Sequence, residues 1–259
     1  MRDSSIDNSE YHDAMLDLLE WIWGRDYMAP GGEGNVDKMV AGLDLRSKQV
    51  LDIGCGLGGP AFALVKKYGA IVTGTDLEPK LIQRATWRAA ELDLSERTTF
   101  LTVEAGPMDF PDNHFDLVIS SGAVTQTADK LGIFREIYRI LNPGGVISCY
   151  NWMKSEGEYS EDMLYWFKME GLTYAMETSA RHGELLAEAG FRDIQLEDAS
   201  DWYRREARRE YSLLAGDGYS SIVKIIGKAE ADRLIEDWRA MVVVCDKGEM
   251  LQGYCRATK

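Results

Sequence analysis

The segment whose spacing carries the most chemistry is Val50-Leu51-Asp52-Ile53-Gly54-Cys55-Gly56-Leu57-Gly58-Gly59, in which Gly54, Gly56 and Gly59 follow a GxGxxG pattern. An apolar run entering glycines predicts a strand that bends sharply into a helix, with no Cβ atoms to keep a ligand off the backbone. Amide groups at such a helix start attract an anion, so a dinucleotide pyrophosphate and an amino-acid carboxylate both fit. Asp76 closes the next apolar run, seventeen residues after Gly59, where a carboxylate can accept from both hydroxyls of a ribose. Asp52, just ahead of the turn, discriminates between the ligands: it sits poorly beside a pyrophosphate and well beside an ammonium.

The elements that must hold these residues follow from periodicity. Apolar, β-branched runs at 49–53, 70–75, 98–103, 115–120 and 146–149 alternate with helical stretches near 61–68, 80–92 and 130–141. That rhythm predicts parallel strands joined by right-handed crossovers, with helices on both faces of an α/β doubly wound sheet. Ahead of it, Tyr11, Met15, Leu18, Leu19 and Ile22 form a stripe of helical period closed by Gly24, and 27–32 is a loop by its proline and paired glycines. Beyond Asn151 an aromatic-rich segment, 152–174, reads as a cap over the sheet edge. A helix near 179–189, a strand near 194–197, helices near 202–214 and 229–245, and a last strand at 250–257 follow. No linker or internal repeat divides the chain, so we expect one domain over 1–259: a lid (1–34), a cofactor-binding core (48–151), the cap (152–177), added helices (200–247) and a closing strand (249–258).

Composition removes several function classes. With 29 Lys+Arg against 43 Asp+Glu the net charge is −14, which repels phosphate backbones and anionic lipid, so neither nucleic acid nor membrane is an expected partner. The basic cluster Arg204, Arg205, Arg208 and Arg209 is interrupted by Glu206 and Glu210 at helical spacing and reads as a solvated helix face. Cys55, Cys149, Cys245 and Cys255 form no CxxC pair, and His12, His114 and His182 are scattered, so no disulfide framework and no bound metal are expected. Without an apolar leader or a run of about 18 apolar residues, the chain is expected in the cytoplasm, acting on a small molecule.

The turn with Asp52, together with Phe115-Asp116-Leu117-Val118-Ile119-Ser120 and Leu141-Asn142-Pro143-Gly144-Gly145, resembles class I methyltransferases that use S-adenosylmethionine, over about residues 48 to 150. The resemblance implies a Rossmann-like, seven-stranded, mostly parallel sheet whose last strand runs antiparallel. It implies S-adenosylmethionine as cofactor, with Asp52, Gly54, Gly56 and Gly58 beside its methionine portion, Asp76 on the ribose and Leu77 against the adenine; Ser120 and Tyr27 complete the expected set. Many relatives carry an acidic residue after the third strand for the adenine amine. Here Glu104-Ala105-Gly106-Pro107-Met108 stands there, which implies a backbone contact instead.

The segment from Tyr11 to Gly32 and the carboxyl end Gly253-Tyr254-Cys255-Arg256-Ala257-Thr258-Lys259 are similar to the phosphoethanolamine N-methyltransferases. In that family a lid tyrosine and a histidine close over the amine; Tyr11 matches the tyrosine, while Gln126 falls where the histidine would, and an amide cannot take a proton at neutral pH. Tyr11 and Gln126 are therefore the catalytic candidates, with His12 or a water as further proton acceptors. The family's phosphate grip of tyrosines, an arginine and a lysine aligns with Trp152, Trp166, Glu170, Leu172 and Met241. With those cations replaced and a carboxylate at Glu170, phosphoethanolamine is not the expected substrate. Trp152, Tyr159, Tyr165, Trp166 and Tyr174 could instead form a cage for a cation, each face contributing about 0.5–2 kcal/mol. The expected activity is methylation of a small unphosphorylated metabolite at nitrogen, with Trp152, Trp166, Glu170 and Tyr165 as acceptor-binding residues. S-methylation of a thioether or thiol, a catalytically idle S-adenosylmethionine-binding protein and, more distantly, a nicotinamide dehydrogenase are the alternatives.

Overall fold

The computed structural model describes residues 12–171 and 174–259; Tyr11 and Leu172 lie outside them. The first helix, α1 (Asp13–Trp23), starts where the His12 ring Nδ1 accepts from the Met15 N–H at 3.2 Å, buries Leu16, Leu18, Leu19 and Ile22, and stops at Gly24. His12 is thus a helix cap rather than a free surface residue. Helix α2 (Gly32–Met39) follows with Asn35, Val36 and Met39 buried. Its charged and glycine-rich sequence hides it, and it grows directly out of the segment expected as loop.

The expected alternation is present as β1 (Gln49–Ile53), α3 (Gly59–Tyr68), β2 (Ile71–Asp76), α4 (Pro79–Glu91), β3 (Thr98–Thr102), β4 (Phe115–Ser121), α5 (Ala123–Gln126), α6 (Lys130–Ile140) and β5 (Leu141–Lys154). The remainder is α7 (Glu161–Glu170), α8 (Ser179–Glu188), β6 (Arg192–Asp198), α9 (Ser200–Ala215), α10 (Tyr219–Ile226), α11 (Lys228–Asp246) and β7 (Met250–Thr258). Helix α10, set off by Gly218 and Gly227, fills a gap left between two expected helices. The sheet order is β3-β2-β1-β4-β5-β7-β6, with β7 antiparallel to both β5 and β6. Strand order reverses between β1 and β4, which opens a crevice beyond their carboxyl ends. Strand β5 outruns its β-branched stretch because β7 pairs along it from Val146↔Thr258 to Lys154↔Met250. Trp152, expected in the cap, is therefore a strand residue.

Three large cores and a small one of Leu16, Leu57 and Leu81 hold these layers. One sheet face packs Phe134, Ile137 and Leu186 of α6 and α8 against Leu51 and Val118; the other packs Val36 and Leu64 of α2 and α3 against Val50 and Leu117. The third lies beyond the strand ends, where α1, α7, α9, α10 and α11 enclose Trp166, Tyr203 and Met241. A fully buried aromatic of that kind removes about 150–250 Å² from water, about 4–6 kcal/mol of transfer free energy. At its centre Glu210, fully buried, accepts from the indole N–H of Trp23 at 2.6 Å and of Trp238 at 3.1 Å, joining α1, α9 and α11. Three of the four arginines of that cluster on α9 are paired, Arg204 with Asp201, Arg208 with Asp246 and Arg209 with Glu206. The four cysteines are free and buried, and no helix among the described residues is long and apolar enough to cross a membrane.

Candidate active site

A cavity of about 1630 Å³ opens at the carboxyl ends of β1, β2, β4 and β5. Its floor is the glycine turn. Gly54 (φ 71°) and Gly56 (φ 52°) are left-handed, and a Cβ would stand 2.3 Å from the Ala123 Cβ in the first case and 2.8 Å from the Met28 Sδ in the second. No other residue type fits either place without displacing its neighbour. The turn's amides are used internally: Gly54 and Cys55 N–H donate to Thr75 O, and Gly56 N–H donates to the Asp76 carboxylate at 2.9 Å. The start of α3 is closed as well, because Gly59 N–H donates to Asp26 O at 2.9 Å and Pro60 has no N–H. A pyrophosphate would find no open helix N-terminus there, which removes the physical basis of the dinucleotide reading.

Asp76 and Leu77 stand side by side on the cavity wall, the latter 56% exposed. The second Asp76 oxygen accepts from Glu78 N–H at 3.1 Å, so each oxygen has one backbone donor and keeps a free lone pair. Opposite runs the loop after β3. Glu136 accepts from Met108 N–H, and Arg139 donates to the carbonyls of Met108 and Phe110. This loop was expected to offer no acidic partner, yet Glu104 and Asp109 both line the cavity.

The far end is walled by side chains. Trp152 and Tyr150 of β5, Gln252 of β7, Gln126, Trp23 and Trp238 all line it, with Glu170, Tyr174, Arg233 and Asp237 at its end. Glu170 accepts from the Tyr174 hydroxyl at 2.8 Å. Arg233 is the single Lys or Arg among the described lining residues, against nine Asp and Glu. It is committed elsewhere: Nε and one Nη donate to Glu230, and the other Nη donates to Met169 O at 2.7 Å. Asp237 is 5% exposed, and its Oδ1 has no hydrogen-bond partner. Burial, then the neighbouring Glu170 charge, hold its carboxyl well above the usual range, with Arg233 and the Trp166 indole opposing.

Several residues singled out from sequence stand off this wall. Ile53 lines the cavity, so the pleat turns Asp52 to the other side, 1% exposed beneath the turn; burial and then the Asp76 charge push it up to about 7. The same alternation puts Ser121 on the wall and Ser120 inside, fully buried with its hydroxyl unpartnered. Gly58 caps α3 against Phe62 and Phe100. Tyr27 packs over Gly59 and lines a side cavity of about 50 Å³ beside Gly54 and Gly56, where burial raises its hydroxyl. Of the five cap aromatics only Trp152 and Tyr174 line the large cavity. Trp166 is fully buried, stacked on Tyr174 at 5.5 Å and edge-on to Trp152 at 5.4 Å. Tyr159 packs on Phe167, while Tyr165, one residue before Trp166 and so about 100° around α7, is 40% exposed and donates to Glu236. Met241 is buried under the Tyr203 hydroxyl. Asp237, Trp23, Trp238 and Tyr150 had been missed. Asp237 lay unseen in a helix that reads as charged buttress, although its position among Leu234, Trp238 and Met241 marks an apolar face.

Residues 50–145 match a methyltransferase domain model. Over 98% of its length the chain is 28% identical to phosphoethanolamine N-methyltransferase 1 of Triticum aestivum, covering 50% of that protein. It is 31% identical to a sterol 24-C-methyltransferase of Gibberella zeae, covering 80% of this chain and 58% of the other. The chain spans about half the length of the curated plant relatives it matches. Among solved structures, phosphoethanolamine N-methyltransferase 2 of Haemonchus contortus, bound to phosphomonomethylethanolamine and S-adenosylhomocysteine, superposes with a TM-score of 0.89 at 24% identity, over 98% of this chain and 59% of that one. The cyclopropane synthase MmaA2 of Mycobacterium tuberculosis shares the fold with a TM-score of 0.82 at 17% identity, over 96% and 94% of the two chains. The strand order, the glycine turn with Asp76 at the next strand end, and these likenesses together give the chain the fold of the class I S-adenosylmethionine-dependent methyltransferases, with a core similar to a methyltransferase domain.

Proposed function

We propose that this chain transfers a methyl group from S-adenosylmethionine to a nitrogen of a small, unphosphorylated metabolite. The observation that carries the reading is the single cavity running from Asp76 to Glu170. At about 1630 Å³ it exceeds the roughly 300–1,000 Å³ of a one-ligand site, so donor and acceptor have room together. The residues present fit the donor. The free lone pairs of Asp76 can accept from two ribose hydroxyls, Leu77 offers an apolar surface to the adenine, and Glu104 or Asp109 can accept from its amine. Gly54 and Gly56 leave room for the amino-acid portion, with the Asp52 carboxyl beneath them.

When bound, S-adenosylmethionine supplies a methyl group on a positively charged sulfur. The protein's part is to align a nucleophile behind that methyl and to exclude water. Met15, Leu19 and Trp23 of α1 wall the cavity with apolar surface. Gln126 can orient an acceptor by hydrogen bonds, and Tyr11 is proposed to close over it. His12 spends Nδ1 on capping α1. That observation keeps the second reading, S-methylation of a thioether or thiol, since a thioether has no proton to lose. A dianionic phosphate would face Glu170 and Asp237 with the committed Arg233 as the single cation among the described lining residues. The test is binding of S-adenosylhomocysteine to the purified chain, followed by methyl-labelled donor with separate pools of amines, thioethers and thiols. Label should enter the amine pool. Entry into a sulfur pool favours the second reading, and tight binding without transfer to any pool makes the chain an idle binding protein.

A further inference from the structure

At the acceptor end α7 and α11 bring two carboxyl groups together on the cavity wall, Glu170 in the last turn of α7 and Asp237 in the middle of α11. Asp237, 5% exposed, lines the cavity and has Oδ1 unpartnered. An unpartnered buried acceptor is costly unless something supplies the missing donor or charge. Among the described residues the nearby donors are committed: Arg233 spends its N–H groups on Glu230 and Met169 O, and the Tyr174 hydroxyl donates to Glu170. Two ring faces, Trp152 and Tyr174, line the same end, 5.3 Å apart and at 71° to one another. Carboxylate and aromatic faces at one place are complementary to an organic cation.

We propose that Glu170 and Asp237, with Trp152 and Tyr174, form a seat for an ammonium or onium group, so that the acceptor binds as a small organic cation, an ammonium acceptor giving up its proton to water before its lone pair takes the methyl, and phosphorylated analogues are excluded. This rests on the methyltransferase reading above and specifies its acceptor. The groups facing Asp237 support it: Glu170 from α7, Arg233 one turn earlier on α11, and Trp166 from the core side. Burial and the Glu170 charge raise the Asp237 carboxyl, and a bound cation would offset both.

The experiment uses the full chain saturated with S-adenosylhomocysteine and three calorimetric probes: choline, its uncharged carbon isostere 3,3-dimethylbutan-1-ol, and phosphocholine. Choline is expected to bind at least about tenfold more tightly than either of the others. Asp237→Asn and Glu170→Gln should each reduce that preference at least about fivefold while leaving S-adenosylhomocysteine affinity within about twofold. Should Asp237→Asn fail to fold, Glu170→Gln, at a less buried position, decides. Equal binding of choline and its isostere, tighter binding of phosphocholine, no binding of any probe, or a preference that survives in the folded variants would each overturn the assignment. Failure of the wild-type chain to take up S-adenosylhomocysteine would instead strike the methyltransferase reading, and is seen separately because that titration comes first.

Discussion

The two ends of the cavity are built differently. The donor end is made of backbone: left-handed glycines, a strand end, and a carboxylate that accepts from Gly56 and Glu78 N–H groups. The acceptor end is made of side chains contributed by α1, α7, α11, β5 and β7. A site made of local backbone geometry tolerates little change at a few adjacent positions. A site made of distant side chains can change its ligand by exchanging one residue while the fold stays the same.

The largest effect is expected at the donor end. Asp76→Ala removes both proposed ribose acceptors and the partner of Gly56 N–H, and should weaken S-adenosylhomocysteine binding by about a hundredfold or more. Unaltered affinity in a titration would break the assignment of that end. Next comes Gly54→Ala, whose methyl must displace Ala123 at a left-handed residue; we expect a loss of about 2–4 kcal/mol in denaturant unfolding together with impaired cofactor binding. A melt indistinguishable from wild type would show that the turn is not under the restraint described.

Glu210 sharpens the contrast because it is a buried acid with an indole donor on each oxygen, whereas Asp237 has Oδ1 without a hydrogen-bond partner. Burial pushes Glu210 up to about 7 from an unfolded value of 4.5, with the Trp238 and Trp23 indoles opposing. The folded chain therefore holds this proton more tightly than the unfolded chain does. Its contribution to stability is complete below pH 4.5 and is lost as pH rises through 7, amounting to about 3 kcal/mol. Glu210→Gln keeps an acceptor oxygen but cannot ionise, so the gap in melting temperature between variant and wild type should shift in the variant's favour from pH 5 to pH 8. Parallel curves would contradict this. The smallest effect is expected from Tyr165→Phe, which loses one exposed hydrogen bond to Glu236: at most about 0.5 kcal/mol in stability and no change in acceptor KM. A raised KM would return Tyr165 to the site.

The sequence pattern located the glycine turn, Asp76 and the βα alternation because each depends on neighbours in the chain, a strand feeding a turn; the antiparallel direction of the last strand, which pairs residues about a hundred positions apart, came from the family resemblance alone. Errors of one residue mattered where the pleat decides. Asp52 and Ser120 were chosen where Ile53 and Ser121 reach the cavity, since strand position alone does not say which face the crevice lies on. On helices the same ambiguity is angular, and it separated exposed Tyr165 from buried Trp166.

The amino-acid sequence by itself determined the donor end, because left-handed glycines and a carboxylate closing the next strand restrict the backbone locally, whatever packs above them. Only the tertiary structure decided the acceptor end. Trp23 meets Glu210 across 187 positions of chain, and Glu170 meets Asp237 only because α7 packs on α11. The physical reason is that a buried charge takes its meaning from which donors lie near it, and those donors are brought there by the packing of helices whose order along the chain does not encode their contacts.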